Sequence, residues 1–341
     1  LQRQDKIKQD QVLKKVLEQA EVLRRDGKQE AAVDLLKNSQ QDLAPSGIVK
    51  EVIKPYTLQD LTKDIEYTQP GLKTGYKDLD KLVTIPQEAI TIIAGRPSHG
   101  KTTMLINLLI RMANGCPDKT FLYFSYEETR KQLGVKLLNI LSHEVINEAQ
   151  NLINLENYLR GGHTSRAMIE EGKRQLEELT SGGRVWLIDE PLFVDDLEEA
   201  IASMASRYEV GAVFIDYIQK VRIKGKYGTR QLEVAAISAR LLDLAKRLSI
   251  PIILGAQFGR KDGKTATLKL DNLREAGDIE QDANLVIGLW NESMAIAEDK
   301  HQKVKDREVD LEAIILKNRN GAVNDTITLT FDRPILNISD K

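Results

Sequence analysis

The chain has one cysteine among its 341 residues, so it cannot form an internal disulfide bond. This scarcity is typical of proteins that fold in the reducing cytoplasm, and we expect a cytoplasmic protein. No apolar run approaches the roughly 18 residues that a membrane-spanning helix requires. No signal-peptide pattern precedes the first helical segment. These absences exclude a disulfide scaffold and an integral membrane protein, and we expect no membrane partner.

An excess of charge of either sign is also lacking. The chain carries 49 Lys and Arg residues against 51 Asp and Glu residues, which gives a formal net charge of −2. Many nucleic-acid-binding domains are basic as a whole, and this chain is not. Any contact with nucleic acid must therefore depend on local basic stretches. The hydrophobic content of 41% is enough for the core of one large domain with a smaller appendage.

The first 70 residues differ in pattern from the rest of the chain. Apolar residues recur at helical spacing up to about residue 40, with a break at residues 25–28, so we predict a helical hairpin over residues 1–43. Residues 44–70 contain proline and glycine breakers followed by a short helical stretch, which predicts a linker with one helix. The apolar face of the hairpin must pack against its own chain or against another protein.

From residue 71 to residue 341, short β-rich apolar runs alternate with helical stretches. This alternation predicts an α/β fold, with a mostly parallel, doubly wound sheet covered by helices on both faces. Two late strands, about 309–317 and 326–331, are expected to form a hairpin across Asn320-Gly321. The predicted parallel strands are Ile90–Ala94, Thr120–Ser125, Val185–Asp189, Ala212–Asp216, Ile250–Gln257 and Leu285–Trp290. The predicted helices are 102–113, 128–141, 164–180, 195–208 and 230–249.

A complete phosphate-binding motif follows the first predicted strand. Residues 95–102, GRPSHGKT, match G-x-x-x-x-G-K-[ST] at every fixed position, and a helical segment follows. In such a loop, backbone N–H groups and the helix N-terminus bind phosphate oxygens. Lys101 would contact the β- and γ-phosphates, and the Thr102 hydroxyl would hold Mg²⁺. The expected nucleotide-binding residues are Gly95, Ser98, Gly100, Lys101, Thr102 and Thr103.

Nucleotide hydrolysis also requires carboxylates near the phosphates. Asp216 and Asp189 each end a buried apolar run, and either pattern suits a metal-binding acid. Glu127 and Glu128 follow the second predicted strand, at the edge where doubly wound sheets bind ligands. Their position alone leaves two interpretations open. They can act in catalysis, or they can be acids favoured by the dipole of a first helical turn.

The motifs, taken together, resemble those of DnaB-like helicases. AGRPSHGKTT is similar to the A-R-P-S-M-G-K-T-T loop of that family, FSYEE to F-S-L-E-M, IDYIQ to I-D-Y-L-Q and AQFGR to S-Q-L-N-R. LREAGDIEQDANLVI resembles L-R-E-S-G-x-I-E-Q-D-A-D-x-I, and KNRNG resembles K-Q-R-N-G. The matches run in order from about Gly71 to Phe331. The resemblance implies a RecA-like motor domain of a replicative DNA helicase, which uses ATP and Mg²⁺.

The resemblance also implies roles for particular residues. It places Glu127 as the catalytic glutamate, Asp216 as the magnesium-binding acid and Gln257 as the nucleotide-sensing glutamine. Lys317 and Arg319 would reach the ATP bound by a neighbouring subunit, although their spacing alone fits two solvated charges at a hairpin. A residue that completes its neighbour's site requires a homo-oligomer, and the family implies a hexameric ring.

The sequence departs from the family pattern at two positions. His99 stands where the phosphate loop of the family has Met, and Gly259 stands where the family has Asn. We expect the first change to be tolerated because its side chain should face outward.

Three loops are candidates for binding single-stranded DNA. An acid-free stretch follows Asp216, and a second basic loop follows Gln257. By resemblance, a third loop lines the central pore of the ring. Contacts to the sugar-phosphate backbone would be independent of sequence, and the scarcity of aromatics makes base stacking minor. The alternative is that these are ordinary solvated loops. The candidate residues are Arg222, Lys224, Lys226, Arg260, Arg274, Glu275 and Gly277.

Two other functions would use a similar nucleotide site. A RecA- or KaiC-like ATPase would act in recombination, or form a ring, without unwinding DNA. A loader or scaffold would use nucleotide only as an assembly switch, and the combination of Glu127, Gln257 and Arg319 argues against it. The N-terminal hairpin does not match the usual N-terminal domain of the family. It can be a remnant of the N-terminal collar of the family, a contact for a loader or a primase, or a hairpin that packs against its own chain.

Overall fold

A computed structural model of the chain describes residues 21–24, 28, 71–143, 166–225, 227–258, 268 and 277–341. The chain divides into two compact units, Leu1–Thr68 and Gln69–Lys341. In the first unit, residues 21–24 are helical. The rest of the predicted helical hairpin and the whole of the predicted linker lie outside the described residues.

The second unit is built on one nine-stranded sheet. Its strands are β1 (Ile90–Gly95), β2 (Thr120–Ser125), β3 (Val185–Ile188), β4 (Val210–Asp216), β5 (Ile252–Gln257), β6 (Ala283–Trp290), β7 (Glu308–Asn318), β8 (Thr326–Asp332) and β9 (Asn337–Asp340). Their order across the sheet is β3-β2-β4-β5-β1-β6-β7-β8-β9. The first six strands in that order are parallel, and the last three continue the sheet in antiparallel fashion.

Helices connect the parallel strands and cover the sheet. They are α1 (Leu79–Leu82), α2 (Lys101–Gly115), α3 (Arg130–Ser142), α4 (Arg166–Thr180), α5 (Val194–Ala205), α6 (Arg230–Leu248), α7 (Gly277–Asp282) and α8 (Glu292–Asp299). Helices α3, α6 and α8 are preceded by the N-cap residues Thr129, Thr229 and Asn291, whose side chains accept a backbone N–H of the first turn. Such caps satisfy N–H groups that a helix start leaves unpaired. None of these helices in the described part of the chain is long and apolar enough to cross a membrane.

Alternate residues of each central strand enter two separate hydrophobic cores. On one face, Ile93, Tyr123 and Phe214 pack in a cluster with α2 and α3. On the other, neighbouring strand residues such as Ile92 pack with α5 and α6. Strands β1, β2 and β4 are buried along their whole length. This burial is expected of parallel strands with helices on both faces, and it confirms the predicted fold class.

The strand register places the ends of four strands at one edge of the sheet. Gly95 at the end of β1 lies opposite Gln257 of β5, and Ser125 at the end of β2 lies opposite Asp216 of β4. Strand β1 lies between β5 and β6. The chain leaves β1 towards β2 on one side, and it leaves β5 towards β6 on the other. In doubly wound sheets, ligands bind at this reversal of strand order, beyond the carboxyl ends of the strands.

The late hairpin is confirmed, because β7 and β8 pair in antiparallel fashion around Asn320-Gly321. Four short elements were not predicted: α1, α7, α8 and β9. Helix α7 has six residues, GDIEQD, and β9 has four, NISD. Segments this short and polar show no repeating apolar pattern, so no periodicity reveals them. The predicted third strand also ends one residue early, which leaves Asp189 beyond β3.

Candidate active site

The phosphate loop joins β1 to α2 through two residues with left-handed backbone. Ser98 and Gly100 have φ values of 65° and 92°, and the second position favours glycine because it has no Cβ. Helix α2 begins directly after Gly100, with no side-chain cap and no acid in its first turn. Its first N–H groups are therefore left for another acceptor, and its dipole favours an anion there. This end of α2 suits a phosphate.

Lys101 and Asp216 meet at the centre of the site. The Lys101 Nζ donates to Asp216 Oδ1 and lies 4.2 Å from the centre of the Tyr217 ring. Asp216 is 1% exposed, and a carboxylate this buried requires a cation or several donors. The Tyr123 hydroxyl supplies a second donor to Asp216 Oδ2, at 3.1 Å. Burial and the neighbouring Asp216 raise the pKa of Tyr123 well above its ordinary value, so the hydroxyl keeps its proton.

This arrangement fits a nucleotide bound together with a divalent cation. The described residues contain no group of three or more His, Cys, Asp and Glu side chains that could hold a metal by themselves. Mg²⁺ is usually held by one or two protein oxygens together with the phosphates of its nucleotide. Thr102, in the first turn of α2, and the buried carboxylate of Asp216 offer such oxygens. Asp216 already faces the cationic Lys101.

Asp189, the other candidate for the metal, has a different place and different partners. It follows the edge strand β3, which borders β2 alone. Its carboxylate accepts the backbone N–H of Arg130 at 2.8 Å and lies 2.7 Å from the guanidinium of that residue. These contacts lower the pKa of Asp189, and the backbone hydrogen bond makes the largest contribution. Asp189 therefore anchors the start of α3, and the geometry favours Asp216 for the metal.

The two glutamates after β2 also differ in their surroundings. Glu128 pairs with Lys136, and its backbone N–H and C=O are both bonded to Ser125 Oγ, at 3.1 and 2.7 Å. Glu127 is exposed and forms no ion pair with the residues that the structure describes. Its carboxylate is thus available to a water molecule, whereas one oxygen of Glu128 is engaged by Lys136 and the other is buried without a hydrogen-bond partner. The geometry favours Glu127 as the base.

Gln257 is tied to the loop that carries Asp216. The Gln219 side chain accepts the backbone N–H of Gln257 at 3.3 Å and donates to its carbonyl at 3.5 Å. Gln219 lies in the short 3₁₀ turn that follows Asp216. The ends of β4 and β5 are therefore linked through Gln219. Gln219 was not predicted to matter, although the IDYIQ motif contains it.

The prediction that His99 faces outward is wrong. Its side chain is fully buried. The Nδ1 atom accepts the backbone N–H of Asn291 at 3.2 Å, and the ring centre lies 5.2 Å from that of Trp290. Burial, with a smaller effect from Arg96, lowers the pKa of His99 to about 4. The residue that departs from the family pattern therefore ties the phosphate loop to the end of β6.

Replacing His99 with Met is expected to remove a pH dependence of stability. The folded pKa of about 4 lies below the ordinary value of 6.5, so the unfolded chain binds more protons between these values. Stability is then lost as the pH falls from 6.5 towards 4, by about 3 kcal/mol at pH 4. Urea denaturation of both proteins at pH 7 and pH 4 measures the difference. His143→Met is the matched control because His143 is exposed. An equal loss of stability in wild type and His99→Met would contradict the assignment.

Lys317 and Arg319 converge on one helix end and are not two separately solvated charges. The Lys317 Nζ donates to the carbonyls of Glu280 and Gln281, at 2.5 and 3.3 Å. The Arg319 guanidinium donates to the Gln281 carbonyl at 2.6 Å. Burial lowers the pKa of Lys317, with a smaller effect from the adjacent Arg319. Both cations thus stabilise the C-terminal end of α7, where the helix dipole is negative.

These two cations lie far from the phosphate loop of their own chain. The Arg319 backbone N–H bonds to the Asn284 carbonyl at the start of β6. That point is level with the start of β1, whereas the loop leaves the other end of β1 after Gly95. Along the strand direction, the Arg319 backbone and the phosphate loop are roughly four residues, or ~13 Å, apart. Helix α7 binds the Arg319 and Lys317 side chains at the amino ends of the parallel strands. Within one chain, both side chains therefore bond to α7 and not to the phosphate loop.

The acid-free loop after Asp216 is partly neutralised by acids from other elements. Lys224 lies 3.5 Å from Asp196 of α5, and Arg222 lies 3.8 Å from Glu233 of α6. Both basic side chains remain more than half exposed, so both can still contact a polyanion. Gly277 begins α7. The other predicted DNA-binding residues, Lys226, Arg260, Arg274 and Glu275, lie outside the described residues.

Comparisons with known proteins identify relatives of this chain. The chain is 33% identical over 270 residues to the replicative DNA helicase DnaB of Mycoplasma genitalium, covering 76% of this chain and 54% of that protein. It is 25% identical over 342 residues to the replicative DNA helicase DnaC of Bacillus subtilis, covering 95% and 71%. The chain spans about half the length of the first curated relatives that it matches.

Two solved structures share the fold. One is an ATPase domain, which superposes with a TM-score of 0.68 at 20% identity, covering 87% of this chain and 99% of that one. The other is a DnaB-like replicative helicase, whose interactions with primase were also described. It superposes with a TM-score of 0.73 at 19% identity, covering 99% and 76%. The family described as DnaB-like helicase C terminal domain matches residues 71–340. The chain therefore belongs to the family of DnaB-like helicase C-terminal domains.

Proposed function

We propose that this chain is the ATP-hydrolysing motor of a replicative DNA helicase, which translocates on single-stranded DNA as a hexameric ring. One observation carries the proposal. The Lys101–Asp216 pair lies beside the phosphate loop, at the carboxyl ends of the parallel strands, whereas Arg319 lies at their amino ends. A single chain therefore holds both halves of a catalytic centre but cannot join them. Membership of the helicase family supports the same conclusion.

At the nucleotide, each residue has a task that follows from its position. The loop and the start of α2 bind the phosphates, and Lys101 moves from Asp216 to the β- and γ-phosphates. Thr102 and Asp216 are the groups that hold Mg²⁺, which when bound neutralises charge that develops on the phosphates. Glu127 orients and deprotonates the attacking water. Gln257, joined to Gln219, senses the γ-phosphate and passes its loss to the loop beyond Asp216.

The neighbouring subunit contributes the remaining charge. Arg319 and Lys317 of one copy reach the ATP of the next, and their present partners, backbone carbonyls, can be exchanged for phosphate oxygens. The basic loop with Arg222 and Lys224 follows the Asp216 strand, so nucleotide state can move it against DNA. We also propose Lys226, Arg260, Arg274, Glu275 and Gly277 as DNA contacts. We propose a primase as the protein partner, because a solved DnaB-like helicase was described with its interactions with primase. A loader is the second partner that we propose, from the resemblance to the family alone.

ATP hydrolysis and strand displacement on a forked duplex test the function together. We expect single-stranded DNA to stimulate hydrolysis, and ATP to drive strand separation. Glu127→Gln is expected to retain ATP binding and to lose about 10²- to 10⁴-fold in hydrolysis rate, because it lacks the general base. Glu128→Gln is the matched control, since its carboxylate already pairs with Lys136, and it should hydrolyse ATP at close to the wild-type rate.

Two results would contradict the proposal in different ways. Normal hydrolysis by Glu127→Gln would move the base to another residue. Hydrolysis by the wild-type protein without strand displacement, accompanied by strand pairing, would indicate a RecA- or KaiC-like ATPase instead.

A further inference from the structure

The central strand β2 contains one polar ring in an apolar run. Its sequence is TFLYFS, and Tyr123 is fully buried within it. The ring is stacked on Phe214 of the adjacent strand β4, with centres 6.1 Å apart and planes 21° apart. A buried tyrosine hydroxyl needs a hydrogen-bond partner. Here the partner is Asp216 Oδ2, an oxygen of the proposed magnesium-binding carboxylate, at 3.1 Å.

The two donors to Asp216 differ in how freely they can leave it. Lys101 bonds to Oδ1 from the first residue of α2, on a long and flexible side chain that also serves the phosphates. Tyr123 bonds to Oδ2 from the middle of the sheet, where packing on Phe214 fixes its ring. Once Lys101 turns to a phosphate, Oδ1 is released, whereas Oδ2 is still held. Oδ2 thus remains bonded to Tyr123, and Oδ1 becomes available to a cation in the site.

We propose that Tyr123 is a positioning residue for Mg²⁺, which holds the Asp216 carboxylate so that Oδ1 faces the cation. The inference rests on the proposed function and adds a residue to it. A carboxylate with one oxygen fixed cannot rotate freely about its Cβ–Cγ bond, so it meets the cation in one orientation. A charge-assisted hydrogen bond from a rigid donor is suited to this task. Partners of this kind typically change metal affinity by 10- to 100-fold when they are removed.

Tyr123→Phe tests the inference because it keeps the ring and removes the hydroxyl. Binding of a fluorescent ADP analogue is measured at a series of Mg²⁺ concentrations and again in EDTA. We expect the Mg²⁺ concentration for half-maximal effect to rise about 10-fold or more, and affinity in EDTA to stay unchanged. ATP hydrolysis should fall at low Mg²⁺ and recover towards the wild-type rate at high Mg²⁺. A merely structural hydroxyl would not produce this dependence on metal.

Tyr76→Phe is the matched control. Tyr76 is also fully buried with a hydrogen-bonded hydroxyl, which donates to the Ile338 carbonyl at 3.3 Å, remote from Asp216. It should lose comparable stability and show the wild-type Mg²⁺ dependence. An unchanged Mg²⁺ dependence in Tyr123→Phe, with nucleotide binding intact, would overturn the inference. Failure of the wild-type protein to bind nucleotide at any Mg²⁺ concentration would instead overturn the proposed function.

A second comparison remains informative if Tyr123→Phe does not fold. Asp216→Asn replaces the carboxylate with a neutral amide, which needs no charge-assisted donor, so the hydroxyl can be removed in that background. Because the proposed effect acts through the carboxylate, adding Tyr123→Phe to Asp216→Asn should cause no further change in Mg²⁺ dependence. A further shift of several-fold would show that the hydroxyl acts by another route, and the inference would be wrong.

Discussion

Arg319→Ala is expected to lower the rate of ATP hydrolysis by about 10³-fold or more, the range found for arginine fingers. The variant leaves the phosphate loop of its own chain complete, because Arg319 lies at the opposite edge of the sheet. ATP should therefore still bind with little loss. Phosphate release and nucleotide binding measure the two effects separately. Arg174→Ala is the control, since Arg174 is exposed and, among the residues that the structure describes, pairs with acids of its own helix α4.

Mixing two inactive variants shows whether the site is shared. Arg319→Ala subunits have intact phosphate loops, and Lys101→Ala subunits have intact fingers. When the two are mixed, some interfaces combine one intact half from each, so part of the hydrolysis should return. Mixtures that stay as inactive as either variant alone would argue against a site formed by two subunits. Full activity of isolated monomers would do the same.

Lys101→Ala is the second change with a large expected effect. We expect ATP turnover to fall by roughly 10²- to 10³-fold or more, since the variant lacks a cation placed to stabilise the phosphates. It also leaves the buried Asp216 with Tyr123 as its remaining side-chain donor among the described residues. Lys119→Ala is the control, because Lys119 is also partly buried and forms an ion pair with Glu209 at 3.0 Å. This pair lies at the amino ends of the parallel strands, away from the phosphate loop. Wild-type turnover in Lys101→Ala would remove the phosphate-loop assignment.

The parts of the fold that were predicted correctly are those with local signals. Strands such as β2 and β4 are continuous apolar runs, and their bounds follow from where the run stops. The phosphate loop is one short segment with every fixed position present. A nine-stranded order, by contrast, depends on pairings between distant segments. No local pattern shows that β1 lies between β5 and β6.

The site was harder to predict wherever a residue's partner is remote in sequence. His99 was expected to face solvent, but Asn291 and Trp290, nearly 200 residues later, bury it. The loop with Lys224 contains no acid, yet α5 brings Asp196 to it. In the sequence, Tyr123 is indistinguishable from the other residues of its strand, and only the fold shows that it lies beside Asp216. Sequence supplies the chemical groups, and the pairing between strands decides which of them meet.

The opposite placement of loop and finger limits how copies can join. Under the proposed function, Arg319 of one copy acts at the nucleotide of another, so two unlike edges have to meet, whereas a two-fold dimer repeats one patch on both partners. The subunits would then follow one another head to tail. In an open, linear oligomer, the nucleotide site of the terminal subunit lacks the arginine of a following copy. Closure of the oligomer into a ring supplies this arginine. The final subunit to join therefore completes the one catalytic centre that the open oligomer leaves incomplete. Closure and full ATP turnover are then the same event.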